Sequence, residues 1–381
     1  MEQDLLPSLE AMIAPESLTR ILNVPVVDAI RTPLTAGFAH SGSGLEYVTT
    51  VGPGETADAQ SLTGPRLVLK RIALEWDWLM RATNDHGCRS VTLWRTGILE
   101  ELPKLCHRTV LACCRDGSGW AILMHDYSAS IMTNRPFTAS INKLFLDVMA
   151  SMHAAFMEDP RVNSDATGLC GPAEVYGMFS PAVARLELAR NAPGVELPHR
   201  ILEGWELARE IMPPEVMAII DPLLEDPAPL CRALRNFPAT LLHGDFRHSN
   251  LGVTPESPGG REGESARVVL LDWQLAACAP PAVELGRYLG ANSPLLPLGK
   301  EECLRYYRNR LDAGLRRRGM SLSWWQPHLE LGLLGGFLQD GWALVLKATR
   351  WSVGAEHRAH WKEELSWWAG QVLRGARHLN R

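Results

Sequence analysis

The sequence predicts an α+β protein of two lobes, a small N-terminal lobe built on an antiparallel sheet and a larger, mostly helical C-terminal lobe. Three observations predict it. Short apolar runs rich in β-branched residues, separated by Gly, Pro and Ser, occupy the stretch from Val26 to Met124. From Phe145 onward the apolar residues recur at helical spacing instead. A chain of 381 residues also exceeds the size at which a single hydrophobic core keeps growing. The boundary is drawn at Asp126, giving lobes 1–126 and 127–381.

In the first lobe, residues 8–24 show an amphipathic helical pattern with Leu9, Met12, Ile13, Leu18 and Leu22 on one side and a break near Pro15. This helix is expected on the outside of the lobe. Residues 26–30, 45–51 and 67–70 then read as strands, with Gly37, Gly42 and Gly44 between the first two. Lys70 ends an apolar strand, where a charge is costly unless it meets an anion; Arg71 points to the opposite face. Residues 110–114 and 120–124 pair around the turn Arg115-Asp116-Gly117-Ser118-Gly119.

In the second lobe, residues 145–156 form a helix with Leu146, Met149, Met152, His153 and Phe156 on its apolar side. His153 is read as a satisfied core residue. Residues 158–194 are broken by Gly and Pro, with a helix over 181–188, and further helices are expected over 205–220 and 222–234. Residues 254–266, polar and rich in Gly and Pro, exceed what a hairpin needs and are expected to form a mobile excursion between strands that still pair. From Lys300 the chain is helical and carries Trp324, Trp325, Trp342, Trp351, Trp361, Trp367 and Trp368, expected chiefly as core. Arg316-Arg317-Arg318 ends a helix, as the helix dipole favours.

The chemistry concentrates in two strings. One is Leu-Leu-His243-Gly244-Asp245-Phe246-Arg247-His248-Ser249-Asn250-Leu251; the other is Val268-Val269-Leu270-Leu271-Asp272-Trp273. Each joins an apolar run to polar residues at its end, where a sheet presents chemistry. Asp245 supplies a base, and Asn250 and Asp272 supply hard oxygen ligands that hold Mg²⁺ without filling its shell. That set suits phosphoryl transfer, which needs an oriented acceptor hydroxyl and neutralised phosphate charge. The Asp-x-x-x-x-Asn spacing is that of the protein-kinase catalytic loop.

At these residues the chain resembles the aminoglycoside phosphotransferase and choline kinase group, small-molecule relatives of the protein kinases. That group writes its loop His-Gly-Asp-x-x-x-x-Asn and its metal strand Asp-Trp or a close variant. The resemblance implies a protein kinase-like fold, ATP as donor and Mg²⁺ as cofactor. It also implies that Lys70 holds the α- and β-phosphates, that the glycine hairpin covers the phosphates, and that His125-Asp126-Tyr127-Ser128 is a hinge whose backbone meets adenine. Relatives commonly carry an Asp near Glu284 that braces the catalytic loop. The chain departs from the pattern in two places. Ser90 stands where relatives most often carry the Glu that pairs with the lysine, leaving Glu75, Asp77, Asp85 or Glu100 as substitutes. The hairpin holds no full Gly-x-Gly-x-x-Gly.

Composition narrows the partners. A net charge of −5 argues against nucleic acid. No apolar run is read as long enough to span a bilayer, and the start Met-Glu-Gln-Asp-Leu-Leu-Pro lacks a basic leader. Eight scattered cysteines read as reduced thiols in the cytoplasm, implying neither disulfides nor zinc. The leading function is an ATP-dependent phosphotransferase acting on a hydroxyl of a small molecule. The alternatives are a catalytically inactive kinase-like nucleotide-binding regulator and a metal-dependent hydrolase using His243 and Asp245, which leaves Asn250 and Lys70 unexplained. For a polycationic acceptor the only acids singled out in the C-terminal third are Glu330 and Asp340.

Overall fold

The computed structural model describes residues 2–34, 41–54, 64–133, 135–190, 196–254, 266–352 and 355–379. Gly37 and residues 255–265 of the excursion expected over 254–266 lie outside the described residues. The rest has the expected α+β, two-lobed layout, with the sheet first and the helices after it.

Five strands, β1 (Asp28–Pro33), β2 (Gly44–Val51), β3 (Arg66–Ile72), β4 (Val110–Asp116) and β5 (Gly119–His125), form an antiparallel sheet in the order β1-β2-β3-β5-β4. Side chains alternate across it, and each face is apolar for a different reason. Leu67 and Leu69 join Val48, Ala112, Cys114, Ala121 and Leu123 under two short helices, Leu9–Ile13 and Pro15–Leu22, which supply Leu9, Met12 and Leu18. The break at Pro15 lies between them, with proline at the first helical position. On the other face Ile72, Cys113, Trp120 and Ile122 belong to the large core of the helical lobe. Lys70 shares the face of Ile72, so it is aimed at the second lobe, whereas Arg71 pairs with Asp116 at 2.6 Å on the other side.

Two small antiparallel ladders follow, β6 (Thr240–Leu242) with β9 (Ala277–Ala279) and β7 (Leu251–Thr254) with β8 (Arg267–Leu270). They fix where both chemical strings end. The strands flanking 255–265 pair as expected, Leu251 opposite Leu270 and Thr254 opposite Arg267.

Around them pack the helices Ala139–Ala155, Leu197–Ile211, Pro214–Glu225, Ala228–Leu234, Ala282–Asn292, Lys300–Arg316, Trp325–Thr349 and Arg358–Gly375. The helices expected over 205–220 and 222–234 are three in the structure. Met212 before Pro213 and Asp226 before Pro227 are extended, because a residue preceding proline is sterically pushed out of the helical region. Pro181–Ala189 is helical as expected. One expectation is corrected: Trp325–Thr349 is long and apolar enough to cross a membrane, with a mean hydropathy of 1.2. It is instead the central helix of the core, 94% of that window being buried in the protein. Trp325, Trp342, Trp361 and Trp368 are buried as core. Arg318 does more than answer its own helix dipole, since its guanidinium donates to Ala154 O in the last turn of the Ala139–Ala155 helix and to Met157 O just beyond it at 3.0 Å. All eight cysteines are unpaired thiols.

Candidate active site

The loop 243–250 leaves β6 and turns sharply at Gly244, whose φ is +81°. A Cβ there would stand 1.8 Å from Leu275 O, so only glycine fits. His243 Nε2 donates to Leu271 O at 2.9 Å, which leaves Nδ1 to accept from Asp245 N at 3.3 Å. Leu271 N in turn donates to Asn250 O at 2.9 Å. The residue before Asp272 is therefore bonded to both ends of the Asp245 loop, and the two strings form one unit.

Further groups hold the loop from below. Glu284 Oε1 accepts from Gly244 N at 2.7 Å, and its Oε2 meets His153 Nε2 at 2.8 Å. His153 is fully buried, with its Nδ1 on Tyr307 OH at 2.5 Å, as a satisfied core residue requires. Glu284 thus braces the 243–250 loop. Asn292 accepts from His248 N at 2.7 Å and donates to Phe246 O at 3.0 Å.

Asp245 is 6% exposed and uses both oxygens. Its Oδ1 accepts from Arg287 Nη2 at 2.6 Å, and its Oδ2 from Asn250 Nδ2 at 2.8 Å and Arg247 Nε at 3.0 Å. Burial would raise its pKa, but Arg247 and Arg287 together outweigh burial and hold the carboxyl well below the usual range. Asn250 spends its amide N–H groups on Asp245 O and Oδ2, so its Oδ1 is the atom left to face a ligand.

Lys70, 8% exposed, donates to Asp272 Oδ1 at 2.8 Å and to Gln274 Oε1 at 3.3 Å. Burial lowers its pKa, and the adjoining Asp272 carboxylate more than restores it, so the ammonium stays charged. Gln274 Nε2 passes the contact on to Asp77 Oδ1 at 2.6 Å. Among the acids weighed as substitutes for the missing Glu, Asp77 is therefore the one that reaches Lys70, through an amide. Asp85 is taken by the backbone N–H and guanidinium of Arg89, Glu100 by Arg108, and Glu75 is exposed. Asp77 also accepts from Ser43 Oγ at 2.7 Å, and Trp78 N donates to Ser41 O at 2.9 Å. The end of the glycine hairpin is thereby tied to the same network, with Gly42 at φ +101° against Trp76 O.

The structure thus brings Asp245 to Asn250 and Lys70 to Asp272, and joins the pairs through residue 271. Sequence reasoning missed Gln274, Arg287, Asn292 and Lys347. Gln274 stands two residues beyond Asp272, in the short 3-10 turn Trp273–Leu275, and that nearness was its only signal. A cavity of about 490 Å³ is lined by His125 and Tyr127 of the expected hinge, with His107 and Arg267, but by none of these four residues.

Residues 144–320 match the sequence model of the phosphotransferase enzyme family. The match contains the Asp245 loop, Asp272 and Glu284 and begins beyond Lys70. The sequence matches none of the curated proteins. Solved structures of similar chain path include a Plasmodium vivax ethanolamine kinase (11% identity, TM-score 0.47, 92% of this chain and 81% of that one). A choline kinase from Cryptosporidium parvum is similar at 13% identity and TM-score 0.47 over 92% and 90% of the two chains. A choline kinase from Streptococcus pneumoniae is similar at 13% and 0.43 over 96% of each.

Proposed function

We propose, on the premise that residues 144–320 carry the pattern of the phosphotransferase enzyme family, that this protein is a kinase moving the γ-phosphoryl group of ATP to a hydroxyl of a small molecule. The observation that carries the reading is the junction at Leu271, which binds the loop of Asp245 and Asn250 to the strand of Asp272, itself paired with Lys70. A base, two oxygen ligands and a phosphate-binding cation meet in one place.

Asp245 is ionised at any working pH and orients the acceptor hydroxyl. As the hydroxyl oxygen bonds to phosphorus, its proton passes to Asp245 and the bridging P–O bond breaks, releasing ADP. Lys70 holds the α- and β-phosphates of the donor. Asn250 Oδ1 and the second Asp272 oxygen, on a side chain 37% exposed, fit Mg²⁺ with room left for water and phosphate oxygens. Bound there, Mg²⁺ supplies neutralisation of phosphate charge. Residues 1–126 serve as the nucleotide-binding lobe and 127–381 as the catalytic and acceptor lobe, with the hinge at 125–128 against adenine. Eight unpaired thiols suit work in a reducing cytoplasm.

The test is Asp245→Asn. Phosphate transfer should fall by about 10²–10⁴-fold, with nucleotide-induced thermal stabilisation retained. Full activity would remove the proposed base. Asp272→Asn should weaken the dependence of that stabilisation on Mg²⁺; stabilisation that ignores the metal in the unaltered protein would favour an inert nucleotide binder.

A further inference from the structure

The helix Arg89–Arg95 holds Ser90, the position where the pattern this chain resembles carries the acid that pairs with the strand lysine, and the side chain next to it is an arginine. Arg89 is 2% exposed, a costly place for a cation unless its donors are met. Among the described residues the one carboxylate within ion-pair reach is Asp85, 3.7 Å from Nη1, and its two oxygens already accept from Arg89 N at 3.0 and 3.1 Å. The guanidinium therefore turns to neutral acceptors. Its Nε donates to Gly168 O at 2.5 Å, Nη1 to Thr83 Oγ1 at 2.8 Å and to Gln274 O at 3.2 Å, and Nη2 to Thr83 O.

Of these acceptors, Gln274 O alone belongs to the candidate site. It lies in the turn that starts at Asp272 with φ +65°, a left-handed conformation that a non-glycine residue keeps only where its neighbours over-determine it. Leu271 N on Asn250 O fixes the turn from the strand side, and Arg89 fixes it from the far side. Gln274 is thus tethered at both ends, by its main chain to Arg89 and by its side chain to Lys70 at 3.3 Å and Asp77 at 2.6 Å. The bond to Lys70 is near the long limit of an N–H···O contact. A small drift of the turn would release the lysine.

We propose, resting on the phosphotransferase reading above, that Arg89 is a positioning residue for the nucleotide donor: through Gln274 it sets where the Lys70 ammonium meets the α- and β-phosphates. A carboxylate on the same helix would meet the lysine directly, whereas Arg89 acts by way of the main chain of the turn after Asp272. Thr83 and Arg89 precede β4, and Gly168 and Gln274 come from the helical lobe, so the same guanidinium fastens the two parts together at the donor site. The planar fork is required, since the single ammonium of a lysine cannot serve carbonyls on three segments at once.

The experiment measures ADP binding by the full-length protein in EDTA, where no metal contributes and the hold of Lys70 on the diphosphate is read alone; thermal-shift titrations with ADP give the affinity. Arg89→Lys, which keeps a charge beside Asp85, should weaken ADP binding at least fivefold, and Arg89→Met at least as much where it folds. Thr83→Val takes one bond from the same guanidinium but leaves Gln274 O in place. It should lower the melting temperature and keep ADP affinity within twofold. In a Gln274→Leu background, which retains the main-chain carbonyl but not the amide on Lys70, Arg89→Lys should cost no more than a further twofold. Unchanged ADP affinity in Arg89→Lys, an equal loss in Thr83→Val, or a full fivefold loss on top of Gln274→Leu would overturn the inference, leaving the arginine to serve the fold alone. An unaltered protein that binds ADP only with Mg²⁺ would also overturn it, since Lys70 would then not hold the diphosphate unaided. One that ignores ADP with and without Mg²⁺ would remove the donor site, and the phosphotransferase reading with it.

Discussion

Gln274 stands between Lys70 and Asp77, accepting from the ammonium at 3.3 Å and donating to the carboxylate at 2.6 Å. An amide thus carries the support that a glutamate on the following helix gives the lysine in the pattern this chain resembles. All three side chains are buried, so the relay is shielded from water and a missing member leaves its neighbours unsatisfied. Gln274→Leu should therefore loosen Lys70 without touching the proposed base. We expect the KM for ATP to rise about tenfold, equivalent to ~1.4 kcal/mol, with the acceptor KM little changed. Steady-state kinetics with each substrate varied in turn checks the split.

Glu284 joins the loop to the core. Its two oxygens serve Gly244 N and His153, and it is 1% exposed. Glu284→Ala leaves the buried Gly244 N–H and His153 Nε2 without partners, a loss of about 2–4 kcal/mol. Glu284→Gln keeps an acceptor for Gly244 N and should recover much of it. Denaturant melts of the two variants would show the difference in midpoint; equal midpoints would mean that the loop is held chiefly by Asn292 and Leu271.

Much of this architecture was legible in the sequence because local signals agreed. The strand periodicity of residues 66–72, the turn at Gly117 and the helical spacing after Phe145 all lie within one window of chain. As candidates, Asp245 and Asp272 were legible because each follows an apolar strand, Asn250 because of its spacing from Asp245, and Lys70 because it is a charge on the apolar run 67–69. The Asp77–Gln274 relay was not, since its members are 197 residues apart and neither breaks a local rule. The same holds for Arg287, which looks like an ordinary surface position of an apolar helix until packing turns it toward Asp245. Proline splits in 205–234 were missed because hydrophobic spacing ran on through Pro213 and Pro227.

Lys347 gives the protein a pH signature. Its folded pKa is about 8 against the ordinary 10.5, so the native state sheds this proton first. Between those values the unfolded chain binds more protons, and stability rises with pH, by up to ~1.4 kcal/mol per unit for one proton. Below pH 8 both states are protonated and the penalty of the buried charge is felt in full. The facing groups are Asp340, Arg287 and Arg247 on three elements, with Trp361 behind. The melting temperature of Lys347→Met minus that of the unaltered protein should be positive near pH 7 and shrink by pH 10. A difference independent of pH would show that the lysine is not titrating in that window.

Gly286 sets how closely the Ala282–Asn292 helix approaches the central Trp325–Thr349 helix. A Cβ at Gly286 would lie 2.7 Å from Gly332 O and 2.8 Å from the Cα of Gly336, both inside any real contact. The next residue along is Arg287, which must reach Asp245 on its own side and Asp340 on the partner helix at once. Gly286→Ala should therefore force the helices apart at an overpacking cost of about 1–3 kcal/mol and pull the guanidinium from one of its two carboxylates. Both melting temperature and turnover should fall. Gly177→Ala, where a Cβ meets nothing within 4 Å, serves as the control and should leave both unaltered. If Gly286→Ala lowers stability but spares turnover, Arg287 follows the shifted helix without losing Asp245, and the helix crossing supports the fold alone.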